Sequence, residues 1–315
     1  MPDGDLYARL TDEIRKVIAG QDDAIELALA AFFAGGHVLL EGVPGIGKTL
    51  IVRTVAAALN MEFRRVQMTP DLLPYDITGS AIYREDRHEF EFQRGPIFTN
   101  FLLADEINRA GARTQSALLE AMQELTVTQD GRVHALPEPF IVFATQNPIE
   151  QEGTYPLPQA QLDRFMFKID LRYPDASVEE EIFKRHHATG MRDAPTQFAV
   201  EKVIEAADIL AARSRIRETF VRDEVVAYVR ALVQATRDAD EFIVGASTRA
   251  GLMLLMGAKS LARFADRDFV TPDDIQRAFL PTMRHRLVLS PDAELEGLPI
   301  DDALDDILAS VEVPR

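Results

Sequence analysis

The chain has 315 residues, of which 47% are hydrophobic, so a sizeable core is available and a disordered chain is excluded as the default interpretation. The 34 Lys and Arg residues against 51 Asp and Glu give a net charge of −17, which disfavours broad nucleic-acid binding because phosphates would be repelled. The chain lacks cysteine, which excludes disulfides and thiolate metal sites, and it shows neither a long apolar stretch nor a signal-peptide pattern, so we expect a cytoplasmic protein with no membrane span.

Two helices are predicted ahead of the first strand. Apolar residues recur at helical spacing over residues 6–17, and Gly20 is expected to end that helix. A second helix is predicted from about residue 21 to residue 33, and Gly35 and Gly36 are expected to end it. The apolar run at 38–40 then predicts a buried strand.

A complete phosphate-loop motif, G-x-x-x-x-G-K-T, follows this strand at residues 42–49 and precedes a helical stretch. Glycines let backbone N–H groups curl around phosphate oxygens, and the helix start adds its positive dipole end. Lys48 is expected to reach the β- and γ-phosphates, and the Thr49 hydroxyl is expected to ligate Mg²⁺. The motif predicts a nucleoside triphosphate site that includes Gly42, Pro44, Gly45, Ile46, Gly47, Lys48, Thr49 and Leu50.

Further short apolar runs predict strands at 63–66, 101–104, 140–143 and 167–171, and helical stretches separate most of them. Near-continuous apolar strands alternating with helices are typical of a parallel sheet covered on both faces. Two hairpins are predicted to interrupt this pattern, one near 79–94 and one at 126–136 around the turn signal Asp130-Gly131. The prediction is an α/β domain over residues 1–172 with a parallel five-stranded sheet.

Two adjacent acids, Asp105 and Glu106, end one of the predicted strands. Asp105 can hold Mg²⁺ through water, opposite Thr49, and Glu106 can orient and polarise the attacking water. Burial of two carboxylates costs several kcal/mol unless a cation or hydrogen bonds compensate, and metal with nucleotide would do so. The alternative is an ordinary helix cap before Asn108.

Other candidate site residues follow later strands. Asn147 follows the strand predicted at 140–143 and could contact the γ-phosphate or the attacking water, or it could simply open an Asn-Pro turn. Arg164 precedes the last predicted strand and could pair with Asp163 or be solvated. The adjacent His186 and His187 have no metal-binding spacing and are expected at the surface.

The chain changes character near residue 173. From residue 177 onward it reads as helical, with no convincing strand, which predicts a helical domain over 173–286. Ser247 or Thr248 could cap a long helix that carries Arg249, for which a solvated surface arginine is the simplest interpretation. Residues 287–315 are acidic, with eight acids against one arginine, and end in a short helix with one apolar face.

These residues, in this order, resemble the MoxR family of AAA+ ATPases over nearly the whole chain. The resemblance rests on the motifs at 101–110 with 114–122, at 144–148 with 151–158, and at 270–275 with 284–286. It implies a P-loop AAA+ core followed by a smaller, all-helical lid domain. The sequence departs from the family pattern at Thr248, where a proline is usual, and at Gly111-Ala112, where Pro-Pro is common.

The resemblance implies roles that spacing alone does not give. Asn147 matches the sensor-1 position, Arg164 matches the arginine finger that acts on a neighbouring subunit's nucleotide, and Arg249 matches sensor 2, reaching from the lid. The stretch that lines the adenine pocket is matched by Val17, Ile18, Gly20 and Gln21. Both predicted hairpins would face the central pore of a ring, and Arg109 is a further candidate for action between subunits.

The implied function is Mg²⁺-dependent ATP hydrolysis by a ring homo-oligomer, typically a hexamer, that remodels or assembles protein complexes as a chaperone. A protein client and a partner with a von Willebrand A domain are implied as well. Two alternatives remain at this point. One is an AAA+ motor acting on nucleic acid, which the acidic balance disfavours. The other is a nucleotide-dependent switch or scaffold with little turnover, which the intact pair Asp105 and Glu106 disfavours.

Overall fold

The structure is a computed structural model and describes residues 3–129, 131–147, 154–189 and 195–314. The N-terminal α/β domain has the strands β1 (His37–Glu41), β2 (Phe63–Gln67), β3 (Gly79–Arg84), β4 (Glu89–Arg94), β5 (Phe101–Asp105), β6 (Thr126–Gln129), β7 (Arg132–Ala135), β8 (Ile141–Gln146) and β9 (Phe165–Asp170). Its helices are α1 (Asp3–Arg15), α2 (Asp22–Ala34), α3 (Lys48–Ala58), α4 (Pro74–Thr78), α5 (Ala112–Glu124) and α6 (Gln159–Leu162).

The predicted five-stranded parallel sheet is confirmed, with the spatial order β2-β5-β8-β1-β9. Val38 and Leu40 pack on one face and Leu39 on the other, because side chains alternate along a strand. The strands leave the sheet at what we call the carboxyl edge, defined by Glu41, Gln67, Asp105, Gln146 and Asp170. They enter it at the amino edge, defined by His37, Phe63, Phe101, Ile141 and Phe165.

Both predicted hairpins are present outside this sheet. β3 pairs with β4 from Gly79↔Arg94 to Arg84↔Glu89, and β6 pairs with β7. Asp130, half of the predicted turn signal, lies outside the described residues. The two hairpins contact each other, because the Phe92 ring stacks on His134 with 4.1 Å between ring centroids.

The rest of the described chain forms a mainly helical domain. Its elements are α7 (Ala176–Thr189), α8 (Ala206–Glu218), α9 (Asp223–Asp238), β10 (Phe242–Val244), α10 (Thr248–Phe264), α11 (Pro272–Met283), β11 (Val288–Leu289), α12 (Pro291–Glu296) and α13 (Ile300–Ser310). Within the described residues, no helix is both long and apolar enough to cross a membrane.

The expectation of no strand after residue 177 was wrong, since β10 and β11 pair with each other. Strands of three and two residues are too short to show an alternating pattern. Their partners are also distant in sequence, Phe242 opposite Leu289, so no hairpin turn marks them. This pairing, together with α13 packing on α9 and α11, attaches the acidic C-terminal segment to the helical domain.

Helix α10 joins the two domains by packing against α1, α2 and β9. A Cβ atom at Gly257 would lie only 2.6 Å from the Phe167 ring, so only glycine permits this close approach of helix and strand. α10 also begins with a defined cap, because the Ser247 hydroxyl accepts the Ala250 N–H at 3.0 Å. Of the two capping candidates, Ser247 is therefore the one used.

Candidate active site

The phosphate-loop motif lies between β1 and α3, as the sequence predicts. β1 ends at Glu41 and α3 begins at Lys48, so residues 42–47 form the turn. Gly45 and Gly47 have positive φ angles of 84° and 94°, a conformation that residues with a Cβ rarely adopt. The turn therefore ends at the N-terminus of an 11-residue helix, an arrangement suited to binding phosphate.

Lys48 folds back over this turn. Its Nζ donates hydrogen bonds to the carbonyl oxygens of Gly42 and, at 3.3 Å, of Val43. Thr49 follows in the first turn of α3 and is partly exposed. The ammonium group and the hydroxyl group are both held at the carboxyl edge of the sheet, beside the turn.

Asp105 ends β5 at the same edge and is buried, with 7% of its surface exposed. Its Oδ1 accepts the Thr145 hydroxyl at 2.6 Å. Its Oδ2 accepts two hydrogen bonds from Arg65, at 2.9 Å from Nε and 2.6 Å from Nη2. The carboxylate is thus desolvated but compensated by a cation and a hydroxyl group.

Glu106 has a strained backbone, with φ 58° and ψ 54°, which costs a non-glycine residue roughly 1–2 kcal/mol. Its N–H donates to the Thr145 hydroxyl oxygen at 2.8 Å, which helps to hold this conformation. Its carboxylate accepts Gln67 Nε2 at 2.7 Å and Arg109 Nη1 at 3.5 Å. Arg109, considered above for action between subunits, therefore contacts Glu106 within one chain.

Asn147 directly follows β8, which lies between β5 and β1 in the sheet. It is buried, with 5% of its surface exposed, and the residue before it, Gln146, pairs with Glu41 next to the phosphate loop. The structure thus brings Asn147, the acids of β5 and the phosphate loop together at one edge. Pro148 and residues 149–153, which carry part of the second motif, lie outside the described residues.

A largely apolar cavity of about 560 Å³ adjoins the phosphate loop. The predicted residues Val17, Ile18, Gln21 and Leu50 line it. Sequence reasoning missed the side of the cavity formed near α7, which consists of Tyr173, Pro174, Glu179, Ile182 and Phe183. Its place beside the loop and its size suit a nucleotide base.

Gly20, also predicted for the adenine pocket, does not line this cavity. It has a φ angle of 69° and lies so close to α7 that a Cβ atom would be 2.6 Å from Val178 Cγ1. It lines a neighbouring cleft of about 730 Å³ between α2 and α11. Gly20 therefore allows α7 to approach the cavity rather than contacting a bound base.

Arg164 and Arg249 lie at the opposite, amino edge. Arg164 immediately precedes β9, whose five residue-to-residue steps span about 16 Å of sheet. Its Nε contacts Gln123 Oε1 at 3.3 Å and its Nη1 contacts the Ala160 carbonyl at 3.2 Å. Asp163, the partner considered for it, instead accepts Arg286 Nε at 2.7 Å.

The same carboxylate also contacts the start of the helix that carries Arg249. Asp163 also accepts the Ser247 hydroxyl at 3.3 Å, and Ser247 caps the helix whose first turn carries Arg249. Arg249 is exposed there. Within one chain, neither Arg164 nor Arg249 lies beside the phosphate loop.

Buried basic side chains also lie at the amino edge. Burial lowers the pKa of Arg286 to about 10, and its hydrogen bond and charge interaction with Asp163 act against that shift. Burial likewise lowers the pKa of His37 to about 4 and that of His285 well below its usual value. His37 is held neutral between two backbone groups, donating to the Met122 carbonyl at 3.1 Å and accepting the Val142 N–H at 3.0 Å.

The donor set at the carboxyl edge fits magnesium bound together with a nucleotide. Among the described residues, no group of three or more His, Asp or Glu side chains could hold a metal alone. Mg²⁺ prefers one or two protein oxygens, with phosphates and waters completing its shell. The Asp105 carboxylate and the Thr49 hydroxyl are oxygens of that kind.

Sequence reasoning missed three polar side chains at this edge: Arg65, Gln67 and Thr145. All three lie on β2 and β8, the strands that flank β5 in the sheet. The available signal was positional, since Gln67 and Thr145 stand near the carboxyl ends of their strands, where sheets of this type bind ligands. Arg65 gave no comparable signal.

Comparison with known proteins places these features in one family. Residues 37–167 match the ATPase family associated with various cellular activities (AAA), and residues 234–307 match the AAA lid domain. The chaperone MoxR1 of Mycobacterium tuberculosis is 44% identical over 96% of this chain and 81% of its own length. The protein MoxR of Methylorubrum extorquens is 32% identical over 98% of this chain and 96% of its own length.

An uncharacterised relative and a solved structure extend the comparison. The protein YeaC of Bacillus subtilis is 43% identical over 98% of this chain and 95% of its own length. The crystal structure of a putative ATPase from Cytophaga hutchinsonii superimposes with a TM-score of 0.91 at 42% identity, covering 99% of this chain and 96% of that one. The whole described fold thus has a counterpart among solved structures.

Proposed function

Because this chain belongs to the MoxR family of AAA+ ATPases, we propose that it hydrolyses ATP with Mg²⁺ as a ring, and that turnover remodels or assembles a partner protein complex. The observation that carries the ring is the separation between the phosphate loop and the two arginines. A hexamer in the cytoplasm, a client protein and a partner with a von Willebrand A domain complete the proposal.

The phosphate loop and Lys48 bind the triphosphate. Backbone N–H groups at the start of α3 and the Lys48 ammonium neutralise the β- and γ-phosphates. The oxygens of Thr49 and Asp105 would hold Mg²⁺, which supplies further charge neutralisation on the phosphates. The cavity beside the loop receives the base, with Val17 and Ile18 on one side and Phe183 on the other.

Glu106 and Asn147 act on the attacking water. Glu106 polarises it, which requires its carboxylate to leave Gln67 and face the γ-phosphate. Asn147 is buried at the same edge and contributes an amide beside the γ-phosphate or the water. Proton acceptance by a positioned carboxylate is worth about 10²–10⁴-fold in rate.

Arg164 and Arg249 act on a neighbouring copy of the chain. The amino edge lies about 16 Å from the carboxyl edge, too far for either side chain to reach the nucleotide of its own chain. If the amino edge of one copy docks beside the carboxyl edge of the next, both guanidinium groups approach the neighbour's γ-phosphate. Such a head-to-tail contact is heterologous, and it forms the proposed ring when the rotation between neighbouring copies closes.

The two hairpins are the proposed client-binding elements. Their tips expose Phe90, with 72% of its surface accessible, and Val133, with 67%. Phe90 lies beside the exposed Tyr83 ring, with 5.3 Å between ring centroids, and adjoining exposed apolar side chains are typical of binding surfaces. The net charge of −17 favours a protein client over nucleic acid.

Mixed assemblies test the proposal. Arg164→Ala subunits keep an intact nucleotide site, and Glu106→Gln subunits keep an intact Arg164. Each variant alone should be nearly inactive in steady-state phosphate release, whereas mixtures should recover part of the activity at interfaces that combine the two intact halves. A mixture of Lys48→Ala with Glu106→Gln is the matched control, because no nucleotide site in it is complete. Failure to recover activity at every ratio would contradict action between subunits.

A further inference from the structure

Two acids face each other at the carboxyl edge, immediately before the phosphate loop. Glu41 ends β1 and pairs in register with Asp170, which ends β9, so both side chains lie on the same face of the sheet. The backbone also joins the two strand ends, because the Leu171 N–H donates to the Glu41 carbonyl at 2.8 Å. Like charges opposite each other on adjacent strands are destabilising, and they make the potential more negative where a triphosphate would bind.

Lys168 compensates Glu41. It lies two residues before Asp170 on β9, and therefore on the same face, and its ammonium forms an ion pair with the Glu41 carboxylate. The distance from its Nζ to Asp170 Oδ1 is 4.0 Å, which is longer than its distance to Glu41. One ammonium group therefore lies between two carboxylates, and its closer contact is with the acid next to the phosphate loop.

Arg284 supplies a second cation from the helical domain. It directly follows α11, within the motif at 284–286, and has no part in the site described above. Its Nη1 donates to Asp170 Oδ2 at 2.6 Å, and its Nη2 contacts Asp301 Oδ2 on α13 at 3.0 Å. Only 12% of the Arg284 side chain is exposed, and Asp170 Oδ1 accepts no hydrogen bond from the described residues. The charge of Asp170 is therefore compensated mainly by Arg284.

Resting on the proposed function, we propose that Arg284 is a positioning residue that supports nucleotide binding in its own chain by neutralising Asp170. With Asp170 satisfied, the Lys168 ammonium stays on Glu41 beside the phosphate loop. Without Arg284, Asp170 competes for Lys168, and the negative potential at the loop weakens the binding of a triphosphate. The helical domain thus acts on two nucleotides, through Arg249 on the neighbour's and through Arg284 on that of its own chain.

Arg277 provides a matched control on α11. It also joins the helical domain to the α/β domain, since its Nε donates to Glu26 at 3.0 Å and its Nη2 donates to Asp23 at 2.6 Å. Both acids lie on α2 rather than at a strand end, and 44% of the Arg277 side chain is exposed. Loss of Arg277 therefore removes the same charge and a contact between the same two domains, but leaves Glu41 and Asp170 compensated.

The test measures the dissociation constant of a fluorescent, non-hydrolysable ATP analogue, titrated into the full-length protein in Mg²⁺. In Arg284→Gln the constant should rise about tenfold, which corresponds to about 1.4 kcal/mol. In Arg277→Gln it should stay within about twofold of the wild-type value, because the lost ion pair is exposed. Wild-type affinity in Arg284→Gln would overturn the proposal.

A double variant separates charge from packing. Asp170→Asn combined with Arg284→Gln removes the acid together with its cation, so Lys168 has no competing partner. The dissociation constant should return to within about threefold of the wild-type value, because the two changes are coupled. A lesion of packing would not be rescued in this way. A double variant that binds as weakly as Arg284→Gln would therefore also overturn the proposal.

Lys168→Gln covers the case in which Arg284→Gln does not fold, because it removes the compensation of Glu41 directly and leaves Arg284 in place. The dissociation constant should rise at least about tenfold and should return toward the wild-type value when Glu41→Gln is added. Unchanged affinity in Lys168→Gln would refute the proposal, since Arg284 is proposed to act through Lys168. If the wild-type protein itself bound no nucleotide, the proposed function would fail instead, so the two failures are distinguishable.

Discussion

The two edges of the five-stranded sheet carry complementary halves of one catalytic arrangement. The carboxyl edge gathers phosphate-binding backbone, Lys48 and the acids Asp105 and Glu106. The amino edge carries Arg164, Arg249 and the buried Arg286, and of these Arg286 donates to the carboxylate of Asp163. In the proposed ring, one edge binds a nucleotide and the other acts on the nucleotide of the neighbouring copy.

The difference between the edges is also one of rigidity. At the carboxyl edge Gln67 and Arg65 contact the acids through exposed side chains, which can exchange partners. At the amino edge Arg286 is 3% exposed and its Nε donates to Asp163 in the other domain, so this ion pair is held by burial. A buried ion pair at the edge that carries Arg164 and Arg249 and an adjustable nucleotide site suit a reaction that is switched by docking of subunits.

The contrast between the two edges is tested most strongly at Arg164. Arg164→Ala should lower turnover on the order of 10³-fold, the usual effect of removing an arginine supplied from a neighbouring subunit. The affinity of each chain for a non-hydrolysable nucleotide should remain at the wild-type value, because Arg164 lies at the other edge. Steady-state phosphate release measures the turnover, and equilibrium titration measures the nucleotide affinity. If Arg164→Ala also lowered the affinity for nucleotide, Arg164 would act on the nucleotide bound to its own chain.

The carboxyl edge gives the complementary result. Glu106→Gln should lower turnover by at least about 10²-fold while nucleotide binding persists, because the amide cannot accept a proton. Single-turnover phosphate release measures the chemical step directly. Normal turnover in this variant would remove Glu106 from the role proposed for it.

The rigidity of the amino edge can be tested at Asp163. Asp163→Asn leaves the buried Arg286 without its carboxylate and should lower the free energy of unfolding by about 3 kcal/mol. Asp22→Asn makes the same chemical change at an ion pair with both side chains more than half exposed and should cost under about 0.5 kcal/mol. Urea unfolding of both variants measures the two losses in the free energy of unfolding. Equal small losses would show that Asp163 is not a fixed anchor.

The smallest effect concerns pH and His37. Its pKa of about 4 in the folded protein lies below the value near 6.5 in the unfolded chain, so the unfolded chain takes up the proton first. The stabilisation is present at pH 7 and is lost as the pH falls from 6.5 toward 4, by about 2 kcal/mol between pH 7 and pH 5. Urea unfolding at several pH values should show this slope reduced in His37→Gln.

Exposed His88 supplies the control, since His88→Gln should leave the slope unchanged. His285 is also buried with a lowered pKa, so part of the slope should remain in His37→Gln. An unaltered slope in His37→Gln would mean that His37 is not buried in its neutral form.

What the sequence predicts correctly is local. The phosphate loop, the acids after β5 and the parallel sheet each depend on consecutive residues or on short periodic runs. Arg65 and Gln67 could not be assigned, because their relation to Asp105 arises from the pairing of β2 with β5, strands 38 residues apart at Phe63↔Phe101. Strand order in a parallel sheet is not recorded in any local pattern.

The contacts at the amino edge show the same limit. Asp163, Ser247 and Arg286 come from three separate segments and meet only through the packing of α10 and α11 on β9. Arg164 and Arg249 were selected from family resemblance, and their side chains alone look like surface arginines. The cavity beside the phosphate loop is half predicted, because family resemblance points to the stretch before α2, while the α7 side depends on how the second domain docks.

The stacked rings of Phe92 and His134 have a mechanical consequence. The chain after β4 runs directly into β5 and ends at Glu106, and the chain after β7 runs directly into β8 and ends at Asn147. Because the two rings are in contact, force applied to one hairpin also acts on the other. We therefore expect it to reach the ends of β5 and β8 together. Force from a bound client protein would then act on Glu106 and Asn147 at the same time.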